Sequence, residues 1–170
     1  MSVVLIALFT LLAVVLQTTW VHALSIAGLG PDLVLLWVLY VALRRQTTLG
    51  LWVAFSAGLL QDIAAGGRMG FNAFLLLGVA YVALYLRRRF VQDNFISQLL
   101  IVLGFTWLHQ FLALFWLNTL LGASLPFGIW LGRAAGLSLF QALLGPWLYL
   151  GLDQWLNLRE DPHAHHLRLN

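Results

Sequence analysis

Three charged residues fall inside or at the edge of long apolar stretches, where an ionised side chain is costly unless it is paired or faces a wet cavity. Arg133 lies about two turns into a predicted helix, and Asp32 and Asp62 lie at the ends of two other predicted helices. We predict an intramembrane ion pair between Arg133 and either Asp62 or Asp32. A substrate or proton site is the alternative, but a proton relay needs more protonatable partners than these.

No set of residue types typical of an enzyme occurs in the chain. The sequence has no cysteine, no His-Glu-x-x-His motif, no Gly-x-Ser-x-Gly motif and no phosphate-binding glycine loop. His163, His165 and His166 stand close together, but no fourth donor follows at a set spacing. The sequence therefore predicts a protein that is not an enzyme and that holds no metal or cofactor.

The composition indicates that lipid is the solvent for most of the surface. Of the 170 residues, 62% are apolar and only 9% are charged, whereas about a quarter of a soluble domain is charged. The uncharged stretches predict six transmembrane helices, at about residues 3–22, 31–43, 49–63, 71–86, 95–117 and 127–152. We predict an all-α integral membrane protein with one compact bundle over residues 1–158 and a polar cytoplasmic tail over residues 159–170.

The second predicted helix is short, about 20 Å long at 1.5 Å per residue. It must tilt little, thin the bilayer or let Arg44 and Arg45 snorkel. The arginines also predict the orientation, because short loops rich in arginine stay cytoplasmic. In a six-helix arrangement Arg68 stands alone on one side, and both termini are predicted to be cytoplasmic. The arginines on the opposite side are Arg44, Arg45, Arg87, Arg88, Arg89, Arg159 and Arg168.

Small residues recur at four-residue steps on two predicted helices. They are Gly128, Gly132 and Gly136 on the last helix, and Gly50, Ala54 and Gly58 on the third. Small side chains let helix backbones approach closely in lipid. We therefore predict close helix packing at both rows, either inside the bundle or against a partner helix.

Three spaced motifs lie between Pro31 and Ala73. A Pro-Asp pair opens the second predicted helix, Gly-Leu-Leu-Gln-Asp closes the third, and Gly-Phe-Asn-Ala opens the fourth. In order and spacing these motifs resemble the rod shape-determining protein MreD family. The family-motif residues are Pro31, Asp32, Gly58, Asp62, Gly70 and Asn72.

The resemblance implies a non-enzymatic membrane scaffold of the bacterial cell-elongation machinery, which controls rod cell shape and lateral peptidoglycan synthesis. It implies a multi-pass protein of the bacterial cytoplasmic (inner) membrane. The implied direct partner is MreC, a periplasmic protein with one membrane anchor. MreB, RodA and a class B penicillin-binding protein are implied in the same assembly, with the lipid bilayer as surroundings and no nucleic acid.

The alternative is a substrate-binding membrane subunit of a small-solute transporter, similar to the six-helix S-components of energy-coupling factor transporters. Such subunits carry Ala-x-x-x-Ala steps on their first helix. No two alanines of the first predicted helix are four residues apart, which counts against this interpretation. The candidates for a polar ligand pocket are Asp32, Asp62, Asn72 and Arg133.

Overall fold

The computed structural model describes residues 3–19, 30–44, 47–66, 69–87, 95–121 and 126–156. All regular secondary structure in these ranges is helical, which confirms the all-α prediction. The predicted tail, the histidines near the end of the chain and several of the arginines lie outside the described residues. The helices are α1 (Val3–Thr19), α2 (Leu33–Arg44), α3 (Thr47–Ala65), α4 (Phe71–Leu86), α5 (Phe95–Leu121) and α6 (Phe127–Leu156).

Two helices end about four residues later than the sequence predicts. α5 continues through Asn118 to Leu121, because a single exposed asparagine lowers helix propensity only slightly. α6 continues through Asp153 to Leu156, because the Asp153 carboxylate has a cationic partner within the bundle, Arg44. A charge near the end of the apolar stretch therefore does not mark the end of α6.

α2 lies at the centre of the bundle. Every residue from Val34 to Leu43 is buried, and the helix contacts each of the other five described helices. A helix that is apolar on all sides belongs in the interior of a protein. Its sides therefore face other helices, and Arg44 ends against Asp153; how this short helix meets the bilayer stays a prediction.

The other helices surround α2 in chain order. α3 and α4 pack as an antiparallel pair, α5 and α6 form a second pair, and α1 packs on α2 and α3. Each outer helix exposes large apolar side chains, for example Leu8, Trp52, Tyr81, Phe111 and Leu143. This apolar outer surface is suited to lipid.

Three of the described helices are long and apolar enough to cross a membrane: Thr48–Ala65, Phe95–Trp116 and Phe127–Trp155. The helices Val3–Thr19, Leu33–Arg44 and Phe71–Leu86 are also apolar but shorter. The length and composition of the helices thus agree with a membrane protein.

Candidate functional site

Asp62, in the last turns of α3, holds the beginning of α4. Its side chain is only 2% exposed. One carboxylate oxygen accepts hydrogen bonds from the backbone N–H of Gly70 (2.8 Å) and of Ala73 (3.3 Å). The other accepts from the backbone N–H and the side-chain amide of Asn72, both at 3.0 Å.

This arrangement is a helix cap supplied by a neighbouring helix. The first N–H groups of a helix have no partner within it, and negative charge is favourable there. Gly70, the N-cap residue of α4, makes no side-chain capping bond of its own and has a φ of 96°. Only glycine adopts that conformation without strain, so Asp62 and Gly70 together define the start of α4.

Gly58 is a point of very close approach between α3 and α4. A Cβ atom placed on Gly58 would lie 2.3 Å from the Cα and 2.5 Å from the N of Ala73. No side chain fits in that space. The second and third sequence motifs are therefore the two halves of one helix junction, in which Gly58 allows the crossing and Asp62 caps the second helix.

The structure does not bring Arg133 to either aspartate. The oxygens of Asp62 face the amides of α4, and Asp32 caps its own helix, accepting a hydrogen bond from the backbone N–H of Leu35 at 3.0 Å. Arg133 is exposed on α6, and in the described part of the chain it forms no ion pair. The predicted pairing is wrong because the sequence indicates the depth of a charge in the membrane but not the direction it faces around the bundle.

The row of small residues on α3 packs inside the bundle. A Cβ atom on Gly50 would lie 3.1 Å from the Cα of Ala42 in α2, and Ala54 is fully buried. Together with the Gly58 contact on α4, these approaches give α3 close neighbours on two sides. The row is therefore part of the protein interior.

The row on α6 is different. Gly128 and Gly132 are exposed, and a Cβ atom on either would meet no atom of the described chain within 4 Å. Gly136, the third member, is half-buried. The structure thus leaves Gly128 and Gly132 uncovered by the described helices.

An ion pair that the sequence did not predict joins α2 to α6. Arg44 Nη2 lies 2.9 Å from Asp153 Oδ2, and the Tyr40 hydroxyl donates to Asp153 Oδ1 at 2.9 Å. The Tyr149 hydroxyl donates to the carbonyl of Leu36 at 3.3 Å. From the sequence, Arg44 is expected to mark the cytoplasmic side and to snorkel at the end of its helix. Asp153, the single acidic residue of the described last helix, is the one indication in the sequence of the partner that Arg44 has in the structure.

We expect Asp153→Asn to lower the free energy of unfolding by about 2 kcal/mol, because it leaves the largely buried Arg44 guanidinium without its counter-charge. The measurement is thermal or denaturant unfolding in mild detergent. Gln154→Asn, at the neighbouring exposed position, is the matched control and should unfold like the parent protein. Equal stability of both variants would contradict a structural role for the pair.

Polar side chains also meet inside the α5–α6 pair. The Thr106 hydroxyl donates to Gln141 Oε1 at 2.6 Å, and Gln141 Nε2 donates to the carbonyl of Asp32 at 3.3 Å. His109, one turn after Thr106, and Ser138, one turn before Gln141, are also buried, and their side-chain polar atoms have no hydrogen-bond partner in the described chain. These contacts anchor the start of α2 between α5 and α6.

Within the described ranges no group of three or more potential metal ligands occurs, and the acidic motif residues act as helix caps. The fold and its motif residues define a small helical membrane-type bundle with an apolar exterior. The family model described as rod shape-determining protein MreD matches residues 1–150, and the chain therefore belongs to the MreD family. Neither the search of curated proteins nor the search of solved structures gave a match.

The family assignment gives the protein a role in rod shape determination. It also confirms the resemblance carried by the three motifs. Pro31 and Asp32 start α2 at the bundle centre, while Gly58, Asp62 and Asn72 build the α3–α4 junction. All these residues have architectural positions.

Proposed function

We propose that this protein is a non-enzymatic scaffold of the bacterial cell-elongation machinery, which supports lateral peptidoglycan synthesis by binding the single membrane anchor of MreC on α6. One observation carries the proposal: Gly128 and Gly132 form an uncovered small-residue surface on an outer helix. In lipid, helices associate where small residues let their backbones approach. A single-span anchor is the simplest partner for such a surface.

The surface extends along most of α6. At 100° per residue, Leu139 and Leu143 lie on the same side of the helix as Gly128 and Gly132, and both leucines are exposed. A crossing helix could approach closely at the glycines and pack against the leucines further along. We call this strip the glycine face of α6.

We also propose that the six helices all span the inner membrane, with both termini in the cytoplasm. The arginine distribution supports this orientation. The glycine face then begins at the periplasmic end of α6, beside the membrane exit of an anchor whose folded part is periplasmic. Assembly with MreB, RodA and a class B penicillin-binding protein is proposed on the family relationship alone.

The test is co-purification of MreC with the Gly132→Leu variant. We expect recovery to fall about tenfold or more, because a leucine side chain prevents close backbone approach. Gly104→Leu is the matched control, since Gly104 is also exposed on a long outer helix with nothing near its Cβ position. It should leave recovery unchanged.

Unchanged recovery with a well-folded Gly132→Leu protein would overturn the assignment of MreC to this surface. Loss of recovery with Gly104→Leu as well would point to a general effect of leucine on the bundle. Unfolding in detergent, measured in parallel, separates lost binding from lost folding.

A solute-binding role receives no support from the residues that suggested it. The carboxylates of Asp32 and Asp62 cap helices, the Asn72 amide donates to Asp62, and Arg133 is exposed and forms no ion pair with either acid in the described chain. A ligand pocket needs polar groups that converge. We therefore do not propose an S-component-like function.

A further inference from the structure

A groove of about 200 Å³ runs between α5 and α6 at the end of the bundle where these two helices are joined. It faces away from the glycine face, on the side of α6 nearest α5. Two polar side chains, Arg133 and Gln110, line it. Its remaining walls are apolar and include Leu114, Ile129, Trp130 and Leu137.

Arg133 has no counter-charge in the described chain. Its backbone lies about 9 Å along the helix axis from Phe127, the first residue of α6. A long arginine side chain at that depth can extend its guanidinium to the membrane surface. The guanidinium there presents paired donors that match a phosphate group. The charge of the groove is thus complementary to an anion at the level of the lipid headgroups.

Gln110 supplies a second donor at a defined depth. The antiparallel register of the pair is set by Thr106 bonding to Gln141 and by Val102 packing on Gly145. This register places Gln110 level with Leu137, which is one turn, about 6 Å, deeper than Arg133. In a glycerophospholipid the acyl ester carbonyls likewise lie below the phosphate, and a side-chain amide donates to such carbonyls.

We propose that this groove binds one glycerophospholipid molecule, with its phosphate at Arg133, an ester carbonyl at Gln110 and an acyl chain along the apolar wall. The two donors, their separation in depth and the apolar lining each match one part of that molecule. An acidic side chain of a partner helix would satisfy Arg133 but leave the deeper Gln110 without a role.

The experiment is native mass spectrometry of the full chain released from mild detergent, with added phosphatidylglycerol. We expect one bound phospholipid, retained about tenfold less by Arg133→Gln and about fivefold less by Gln110→Leu. Arg87→Gln, which removes an arginine at the opposite end of the bundle, is the charge-matched control and should retain lipid normally. Diacylglycerol, which has the esters but lacks the phosphate, should compete poorly.

Equal retention by Arg133→Gln and the parent protein would overturn the proposal. So would equally effective competition by diacylglycerol, because the phosphate would then contribute nothing, and so would specific retention of a single-span protein at this groove in place of lipid. To separate lost lipid binding from altered folding, Arg133→Lys is measured beside Arg133→Gln; the lysine variant keeps the charge and should retain more lipid than the glutamine variant. Inorganic phosphate should leave retention unchanged, since it lacks the ester and the acyl chain.

Discussion

Replacing Asp62 by alanine is expected to lower the free energy of unfolding by about 3 kcal/mol. The substitution removes the acceptor for three backbone N–H groups at the start of α4 and for the Asn72 amide. Buried donors left without partners cost about 1 to 3 kcal/mol each, less where local rearrangement satisfies some of them. The measurement is thermal unfolding in mild detergent, followed together with protein abundance in the membrane.

Two further variants test the capping role of Asp62. Asp62→Asn keeps one acceptor oxygen but places a donor beside other donors, so its stability should lie between those of the parent protein and Asp62→Ala. Gln61→Ala, at the adjacent and more exposed position, is the control and should change stability little. An Asp62→Ala protein as stable as the Gln61→Ala protein would contradict the cap.

Gly58→Ala is the second substitution with a large expected effect, again about 3 kcal/mol of destabilisation. Its single added methyl group would overlap the backbone of Ala73 at 2.3 Å, and backbone cannot move aside as a side chain can. Relief requires α3 and α4 to separate, which disrupts their packing and the Asp62 hydrogen bonds. Overpacking of this kind costs about 1 to 3 kcal/mol, sometimes more.

Gly104→Ala makes the matched comparison, because a Cβ atom at Gly104 would meet no atom of the described residues within 4 Å. Alanine has the higher helix propensity by about 1 kcal/mol, so this control should be neutral or slightly stabilising. The same Gly→Ala change is thus expected to lower the free energy of unfolding at Gly58 and to leave it unchanged or raise it at Gly104. Destabilisation of similar size in both variants would contradict the close approach of Gly58 to the Ala73 backbone.

The sequence predicts the helices well because the solvent is apolar and charge is rare. Gaps between charges mark where helices run, and the Pro31–Asp32 start of α2 and the Gly70 start of α4 follow from backbone preferences. Errors arise where a charge is satisfied inside the bundle. Asp153, which is bonded to Arg44 and Tyr40, is an internal residue of its helix.

The candidate site was harder to predict, and the reason is geometric. Asp62 and Arg133 are both costly charges in an apolar region, and pairing them is the simplest solution from the sequence. Four donors from the start of α4 satisfy Asp62 instead. Which donor reaches a carboxylate depends on how helices are arranged around the bundle, and helix periodicity does not contain that information. The Gly-Phe-Asn-Ala motif at the start of α4, which follows Asp62 by eight residues, was the better indication of the donors that reach this carboxylate.

The position of α2 has a consequence for biogenesis. A helix of 12 residues is shorter than the roughly 20 apolar residues of a typical lipid-facing span. All sides of α2 are covered by other helices, and four of these five helices follow it in the chain. The ion pair of Arg44 cannot form until Asp153, which is 109 residues further along the chain, has been synthesised. The contacts of α2 with α6, including the Arg44–Asp153 ion pair, therefore form only after the final helix has been synthesised.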